Sequence, residues 1–215
     1  MGKYSDHSTY MNKLDVEVPS VTTILKVLNK PSIAKWANSL GWKRMSYEKV
    51  LEERAFEGTI VHELCHEILF KEGAKFDTST PERLEFISSY LKNFNSFLDE
   101  HKLEPIWGEK SFSSDRFGGT VDLYCVLDGK KTILDFKTSK SFYSTHFIQL
   151  GAYIQLLEQE DLSVEQVAIL RLRDGKRAIK IISREDMEKC IEIFNKLCDL
   201  FYLIYDLNEE WKDLM

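Results

Sequence analysis

The sequence predicts an α/β domain in which a central mixed β-sheet carries helices on both faces. Three observations point to it. Apolar, β-branched runs flank Asp128-Gly129 and again Asp174-Gly175, and Asp-Gly between such runs is the strongest short-range hairpin signal. Around these hairpins apolar residues recur at helical spacing. In the first hairpin one strand face (Val121, Leu123, Cys125, Leu127, Leu134, Phe136) is apolar and needs a helix against it.

With 215 residues, 43% of them hydrophobic, the chain is long enough for one domain with a real core. Its expected parts are an extended or mobile arm over 1–18, a helical stretch over 19–104, the core sheet with one helix over 105–183, and a C-terminal helix over 184–215. No apolar run approaches a membrane span, and the first residues lack the apolar centre of a signal peptide. A cytoplasmic protein is therefore expected, with no membrane partner. Cys65, Cys125, Cys190 and Cys198 are widely spaced, mostly within apolar runs, and read as reduced core residues. The net charge of −6 argues against a generic nucleic-acid coat. Charge is uneven, however. Lys26, Lys30, Lys35, Lys43, Arg44, Lys49 and Arg54 face only Glu48, Glu52 and Glu53 in that stretch, whereas 184–213 is acidic.

Taken in order, Ser20 caps a first helix. Lys30-Pro31-Ser32 breaks it and starts the next, which runs through Trp36 to about Leu40 and closes at Gly41. Trp36 and Trp42 can stack on bases, but residues of this kind more often pack helices together, and packing is the favoured reading. A long helix over 47–71 places Val50, Arg54, Glu57, Val61, Leu64, Cys65 and Ile68 on one stripe, with His62 at its border and Glu63 and His66 pointing away. His62-Glu63-Leu64-Cys65-His66 spells H-E-x-x-H, the zinc-peptidase signature, in which two imidazoles four apart hold the metal. No H-x-x-G-x-x-H continuation follows, and only Glu82 and Glu85 offer a third ligand. Ser79-Thr80-Pro81-Glu82 opens a further helix to about His101, with Phe86, Tyr90, Leu91, Phe94, Phe97 and Leu98 as core.

Residues 106–113 alternate as a strand. An even-length turn after it would set Glu109 on the face of Asp122; another length would leave Glu109 in solvent. In the hairpin that follows, a two-residue turn at Asp128-Gly129 pairs Leu127 with Lys130 and sets Asp122 opposite Asp135, with Lys137 on the face of Asp135. Opposed like charges destabilise a sheet, so the pair calls for a reason beyond folding. Carboxylate oxygens so arranged suit Mg²⁺ or Mn²⁺; the alternative is two solvated aspartates and a surface lysine. A helix over 143–159 puts Gln149 and Tyr153 on one face. The second hairpin carries Arg171, Arg173, Lys176 and Lys180, which suit phosphate contact or protection of a sheet edge. Ser183 caps a last amphipathic helix to about Trp211.

Asp122 followed by Asp135-Phe136-Lys137 resembles the PD-(D/E)XK nucleases, with Val121 where that pattern has proline. Gly118-Gly119-Thr120-Val121-Asp122 and Ile133-Leu134-Asp135-Phe136-Lys137-Thr138-Ser139-Lys140 look like the RecB-type branch. Gly58-Thr59-Ile60-Val61-His62 matches its G-x-x-x-H element and Gln149-Leu150-Gly151-Ala152-Tyr153 its Q-x-x-x-Y element. The start, PSVTTIL with KPSIAKWANSLGW, is similar to phage-encoded RecB-like exonucleases and to the mitochondrial genome-maintenance exonuclease.

The resemblance implies a restriction-endonuclease-like core and a divalent-metal-dependent deoxyribonuclease. It implies Mg²⁺ or Mn²⁺ on His62, Asp122 and Asp135, with Glu109 and the Phe136 carbonyl assisting and no zinc expected. Asp122, Asp135 and Lys137 are the implied catalytic residues, with Lys137 working on the attacking water and Gln149 and Tyr153 lining the channel. Relatives with an iron–sulfur cluster carry a tight C-terminal cysteine trio; Cys190 and Cys198 stand apart, so no cluster is expected. DNA, with single-stranded ends favoured, is the expected partner, held by Trp36, Lys140, Gln149, Tyr153, Arg171 and Arg173. A recombination or replication protein is a second expected partner, in a bacterial or phage-infected cell.

Overall fold

The structure, a computed structural model, describes residues 9–28, 31–71, 81–173 and 176–210. Two short strands, β1 (Thr9–Met11) and β2 (Glu17–Pro19), precede helix α1 (Val21–Ile24) and a 3-10 turn (Leu25–Val27). Helices α2 (Pro31–Trp42), α3 (Tyr47–Phe70) and α4 (Pro81–Glu100) follow. Strands β3 (Leu103–Ser113), β4 (Gly118–Leu127) and β5 (Lys130–Lys137) lead to α5 (Ser144–Glu158), β6 (Gln166–Arg173), β7 (Lys176–Ser183), a 3-10 turn (Glu185–Met187) and α6 (Glu188–Glu210).

The sheet runs β3-β4-β5-β6-β7. Only β5 and β6 are parallel; the other neighbours are antiparallel. The β4–β5 turn places Asp128 at φ 51° and Gly129 at φ 84°, the left-handed pair that a two-residue hairpin loop demands. Leu127 accordingly pairs with Lys130. Parallel pairing of β5 with β6 needs a crossover, and α5 supplies it.

Each sheet face buries its own core. On one side Tyr124, Ile133, Val167 and Ile169 pack against Leu150, Ile154 and Leu157 of α5, Phe194 and Leu197 of α6, and Val21 and Ile24 of α1. On the other, Leu123, Cys125, Leu127, Leu134, Phe136 and Leu170 meet Val61 and Leu64 of α3 and Phe94 and Phe97 of α4. At about 1.5–3 kcal/mol per buried large apolar side chain, these layers hold the sheet rigid beneath the site. This is the mixed α/β sheet with helices on both faces that the sequence predicts, an architecture consistent with a restriction-endonuclease-like core. No helix among the described residues is long and apolar enough to cross a membrane.

Several local expectations are corrected. Within the expected arm, residues 9–19 form a hairpin whose Asn12 Oδ1 accepts from the amides of Leu14 and Val16, both at 2.9 Å; residues 1–8 lie outside the described residues. α2 runs past Gly41 to Trp42, and the turn after it closes at Arg44, which takes φ 55° and whose amide donates to the Gly41 carbonyl. Ser183 accepts from Asp186 N and so caps the 3-10 turn rather than α6. The start of α4 at Ser79-Thr80, the Asp174-Gly175 turn and Trp211 fall outside the described residues.

The fourth correction concerns the sheet itself. Val121 packs on the α5 side, whereas Leu123 packs on the α3–α4 side. Strict alternation would put both on one face. The side-chain alternation of β4 therefore breaks at Asp122. β3 breaks in the same row: Gly108 pairs with Leu123 and Lys110 with Val121, so Glu109 faces Asp122, and Glu109 stands at φ 47°.

Candidate active site

Asp122 lies where β3 and β4 lose their regularity together. The β4–β5 ladder ends at the Leu123–Leu134 pair, and Asp122 Oδ2 then accepts from the Phe136 amide at 2.9 Å. A side chain thus replaces the next rung of the sheet. Glu109, opposite Asp122 on β3, holds a left-handed backbone inside a strand. For a non-glycine residue this costs of order 1–3 kcal/mol.

His62 reaches this row from α3. Its Nε2 lies 3.0 Å from the Phe136 carbonyl oxygen and its Nδ1 3.5 Å from Asp122 Oδ2. Gly58, one turn earlier, faces Thr138 Oγ1, which a Cβ there would meet at 3.6 Å. His62, Glu109, Asp122 and Phe136 line one cleft together with His66, Leu69, Phe70 and Leu123. His66 thus faces the cleft rather than away from it. Its ring packs on Phe70 with centroids 4.6 Å apart and lies so close to β3 that a Cβ on Gly108 would meet it at 2.7 Å. The periodicity of α3 missed this because only Val61, Leu64 and Cys65 of the expected stripe are fully buried, and the N-terminal half of the helix stands clear of the sheet.

Asp135 and Lys137 share the face of Ile133, toward α5. Asp135 is 1% exposed. Its Oδ1 accepts from Lys137 Nζ at 2.7 Å, while Oδ2 is buried without a hydrogen-bond partner. Burial pushes its carboxyl up to about 6, and the Asp122 charge adds to that against the pull of Lys137 and His62. For Lys137, burial works against the ammonium, yet the carboxylates of Asp135 and Asp122 outweigh it and raise its pKa above the usual lysine value. The ammonium is therefore held charged. Tyr153 accepts from Gln149 Nε2 at 2.7 Å. Burial, then Asp122 and Asp135, keep its phenol protonated, and its ring occupies the space that a Cβ on Gly119 would take, 2.6 Å from Cε1.

Trp36, Trp42, Lys140, Arg171 and Arg173 do not line the cleft. Trp36 packs edge-on to Tyr47, centroids 5.3 Å apart, and is half-buried. Trp42 is 83% exposed. Arg171 donates to the Lys140 carbonyl at 3.3 Å and Arg173 to the Thr138 carbonyl at 3.2 Å, so both tie down the loop that follows Lys137. The Lys140 side chain itself is exposed.

The carboxylates suit Mg²⁺ or Mn²⁺, the imidazole is the softer donor of the set, and the orphaned Asp135 Oδ2 is a buried oxygen in want of a positive partner. Asp122 Oδ2 and His62 Nδ1, 3.5 Å apart, are spaced as two ligands of one small ion are. Among the described residues, however, no three His, Cys, Asp or Glu side chains already form a metal cage, and the Phe136 carbonyl is taken by His62. The fit is to an ion that keeps waters or substrate oxygens in its shell, as Mg²⁺ does.

No protein-family description matches the chain and no curated protein matches it in sequence. Among solved structures, a phage-related exonuclease from Haemophilus somnus 129PT is 18% identical, with 70% of this chain and 83% of that chain covered and a TM-score of 0.35. A protein designated SSO0001 is 16% identical, with 65% and 74% covered and a TM-score of 0.31. Both likenesses are distant.

Proposed function

We propose that this chain is a divalent-metal-dependent deoxyribonuclease of the PD-(D/E)XK type, RecB-like branch. It would hydrolyse DNA phosphodiester bonds from single-stranded ends, in recombination, repair or phage genome processing. The observation that carries this reading is the buried, unpartnered Asp135 Oδ2 beside a charged Lys137, with Asp122 on the neighbouring strand and His62 reaching in from α3. A fold gains nothing from such a carboxylate, since an unsatisfied buried oxygen costs about 1–3 kcal/mol.

Asp122, Asp135 and His62 would hold Mg²⁺ or Mn²⁺, with Glu109 on the open side of the cleft. When bound, the ion polarises a phosphoryl oxygen and acidifies a water. The protein's own part is electrostatic and positional. The Lys137 ammonium, fixed by Asp135, stabilises charge that develops on the phosphoryl oxygens. Gln149 and Tyr153 hold the strand as neutral hydrogen-bonding groups. Leu69, Phe70 and Leu123 keep the cleft apolar apart from its reacting groups, which strengthens each charge interaction within it.

The test is cleavage of end-labelled single- and double-stranded DNA with Mg²⁺, Mn²⁺ or EDTA, alongside a closed single-stranded circle and its linear form. Metal-dependent loss of linear single strands is expected. Full cleavage in EDTA would overturn the metal requirement, and rapid cutting of the circle would overturn the requirement for an end.

A further inference from the structure

Beside the cleft lies a group of hydroxyls that the nuclease reading does not use. Thr120 Oγ1 is 2.9 Å from Tyr10 Oη and 2.9 Å from Ser111 Oγ. Ser111 and Thr120 are paired across β3 and β4, two residues from Glu109 and Asp122. Two residues along a strand span about 6.8 Å, comparable to the six-bond repeat of an extended nucleotide backbone. Either oxygen can donate in each of these contacts, so a chain running from Tyr10 through Thr120 to Ser111 presents the exposed Ser111 hydroxyl as the outward donor. The group opens to solvent at Ser111, which is exposed, while Tyr10 and Thr120 are half-buried.

Tyr10 is brought here by design of the hairpin. A Cβ on Gly118 would fall 2.5 Å from Tyr10 Cβ and Cγ, so only glycine admits the ring. Ser113 Oγ donates to the Met11 carbonyl at 2.9 Å, and Ser20 bridges to Gly118. Tyr10 is also near enough to Tyr153 to act on it electrostatically. Two tyrosine rings, one from β1 and one from α5, thus lie over the two glycines that lead to Asp122.

We propose that Tyr10, Ser111 and Thr120 form a phosphate subsite one nucleotide along from the cleft, with the N-terminal hairpin as its wall. The proposal rests on the nuclease reading and names where that site holds the neighbouring phosphodiester. Hydroxyls suit the task. They donate to phosphate oxygens without a cation that would compete with the metal for the carboxylates, and they read no base. Tyr10 is a positioning residue here.

The experiment measures fluorescence anisotropy of a labelled short oligothymidylate in EDTA, where it is not cut, and steady-state cleavage with Mg²⁺. Tyr10→Phe keeps the ring on Gly118 and removes only the hydroxyl; Ser111→Ala is the second variant. Each should weaken binding about five- to tenfold, raise KM by a similar factor and leave kcat and the thermal midpoint nearly unchanged. Replacing single phosphodiesters by neutral methylphosphonates should cost the wild type the same factor at one position, and cost Tyr10→Phe nothing further there. Unchanged binding, losses that multiply at every position, or a fall in thermal midpoint alone would overturn the subsite. If the wild type binds the oligonucleotide but cuts no DNA with any metal, the nuclease reading fails while the binding data still decide the subsite. If it binds no oligonucleotide, both fall.

Discussion

His62 Nε2 lies 3.0 Å from the carbonyl oxygen of Phe136, so a helix side chain is bonded to the residue between Asp135 and Lys137 of β5. A carbonyl can only accept, which assigns the proton to Nε2. In the neutral ring Nδ1 then offers a lone pair toward Asp122 Oδ2 at 3.5 Å. Lone pair and carboxylate face each other across a gap that suits a cation.

His62→Ala removes both the proposed ligand and the bond that orients Phe136. A fall in cleavage of about 100-fold or more is expected. Glu63 is exposed, and Glu63→Ala should stay within about twofold. Tight stoichiometric zinc, lost equally in His62→Ala and His66→Ala, would instead favour the H-E-x-x-H reading; metal analysis of the purified variants distinguishes the two.

Asp135→Asn and Asp122→Asn should abolish cleavage with the fold kept. A ligand that binds only the folded state stabilises it by mass action. Mg²⁺ or Mn²⁺ should therefore raise the thermal midpoint of the wild type and leave that of both variants unmoved. Equal shifts in all three proteins would place the ion elsewhere.

Lys137→Ala should cost about 10²- to 10³-fold in kcat and little in DNA binding, because the ammonium acts on charge that develops during the reaction. Equal losses in kcat and affinity would make Lys137 an anchor only.

Gly119→Ala would place a Cβ 2.6 Å from Tyr153 Cε1 and 3.3 Å from Val21 Cγ2. Overpacking of this kind costs about 1–3 kcal/mol, to be read in denaturant unfolding. An unchanged midpoint would mean that the ring moves aside without cost.

Asp128 accepts from His101 Nδ1 at 2.7 Å and from the Lys102 amide at 2.9 Å. The bond to His101 is the larger cause that holds its carboxyl below the usual range, against a small opposing effect of burial. A depressed folded pKa gives stability that is present above the unfolded value and lost as pH falls through the folded one. With the side chain 44% exposed, the contribution is about 1 kcal/mol. Asp128→Ala should lose that much or more at pH 7, since it also strains the left-handed turn, and the difference should narrow below about pH 4. A gap constant with pH would leave only the turn strain.

Much of this molecule is determined locally. Asp128-Gly129 sets the register of β4 against β5 because few residues but glycine and Asx accept the positive φ of a two-residue turn. Ser20 and Ser46 cap α1 and α3 as short side-chain acceptors do, and apolar periodicity alone fills both cores. Asp135 and Lys137 share a face of β5 by strand alternation alone. Other features depend on contacts between distant segments. The break in alternation at Asp122 and Glu109 arises where three strands and α3 compete for one space, and no local pattern encodes it. Val121 therefore takes the opposite face from Leu123. His66 enters the cleft because β3 passes over α3 at Gly108, and Arg171 and Arg173 are drawn into holding the loop after Lys137 by the parallel pairing of β5 with β6. The N-terminal hairpin is the extreme case. Its strands are three residues each, too short to register as a periodic pattern. They are held by Tyr10 against Gly118, by the Ser113 bond to the Met11 carbonyl and by the Asn12 side chain inside the turn.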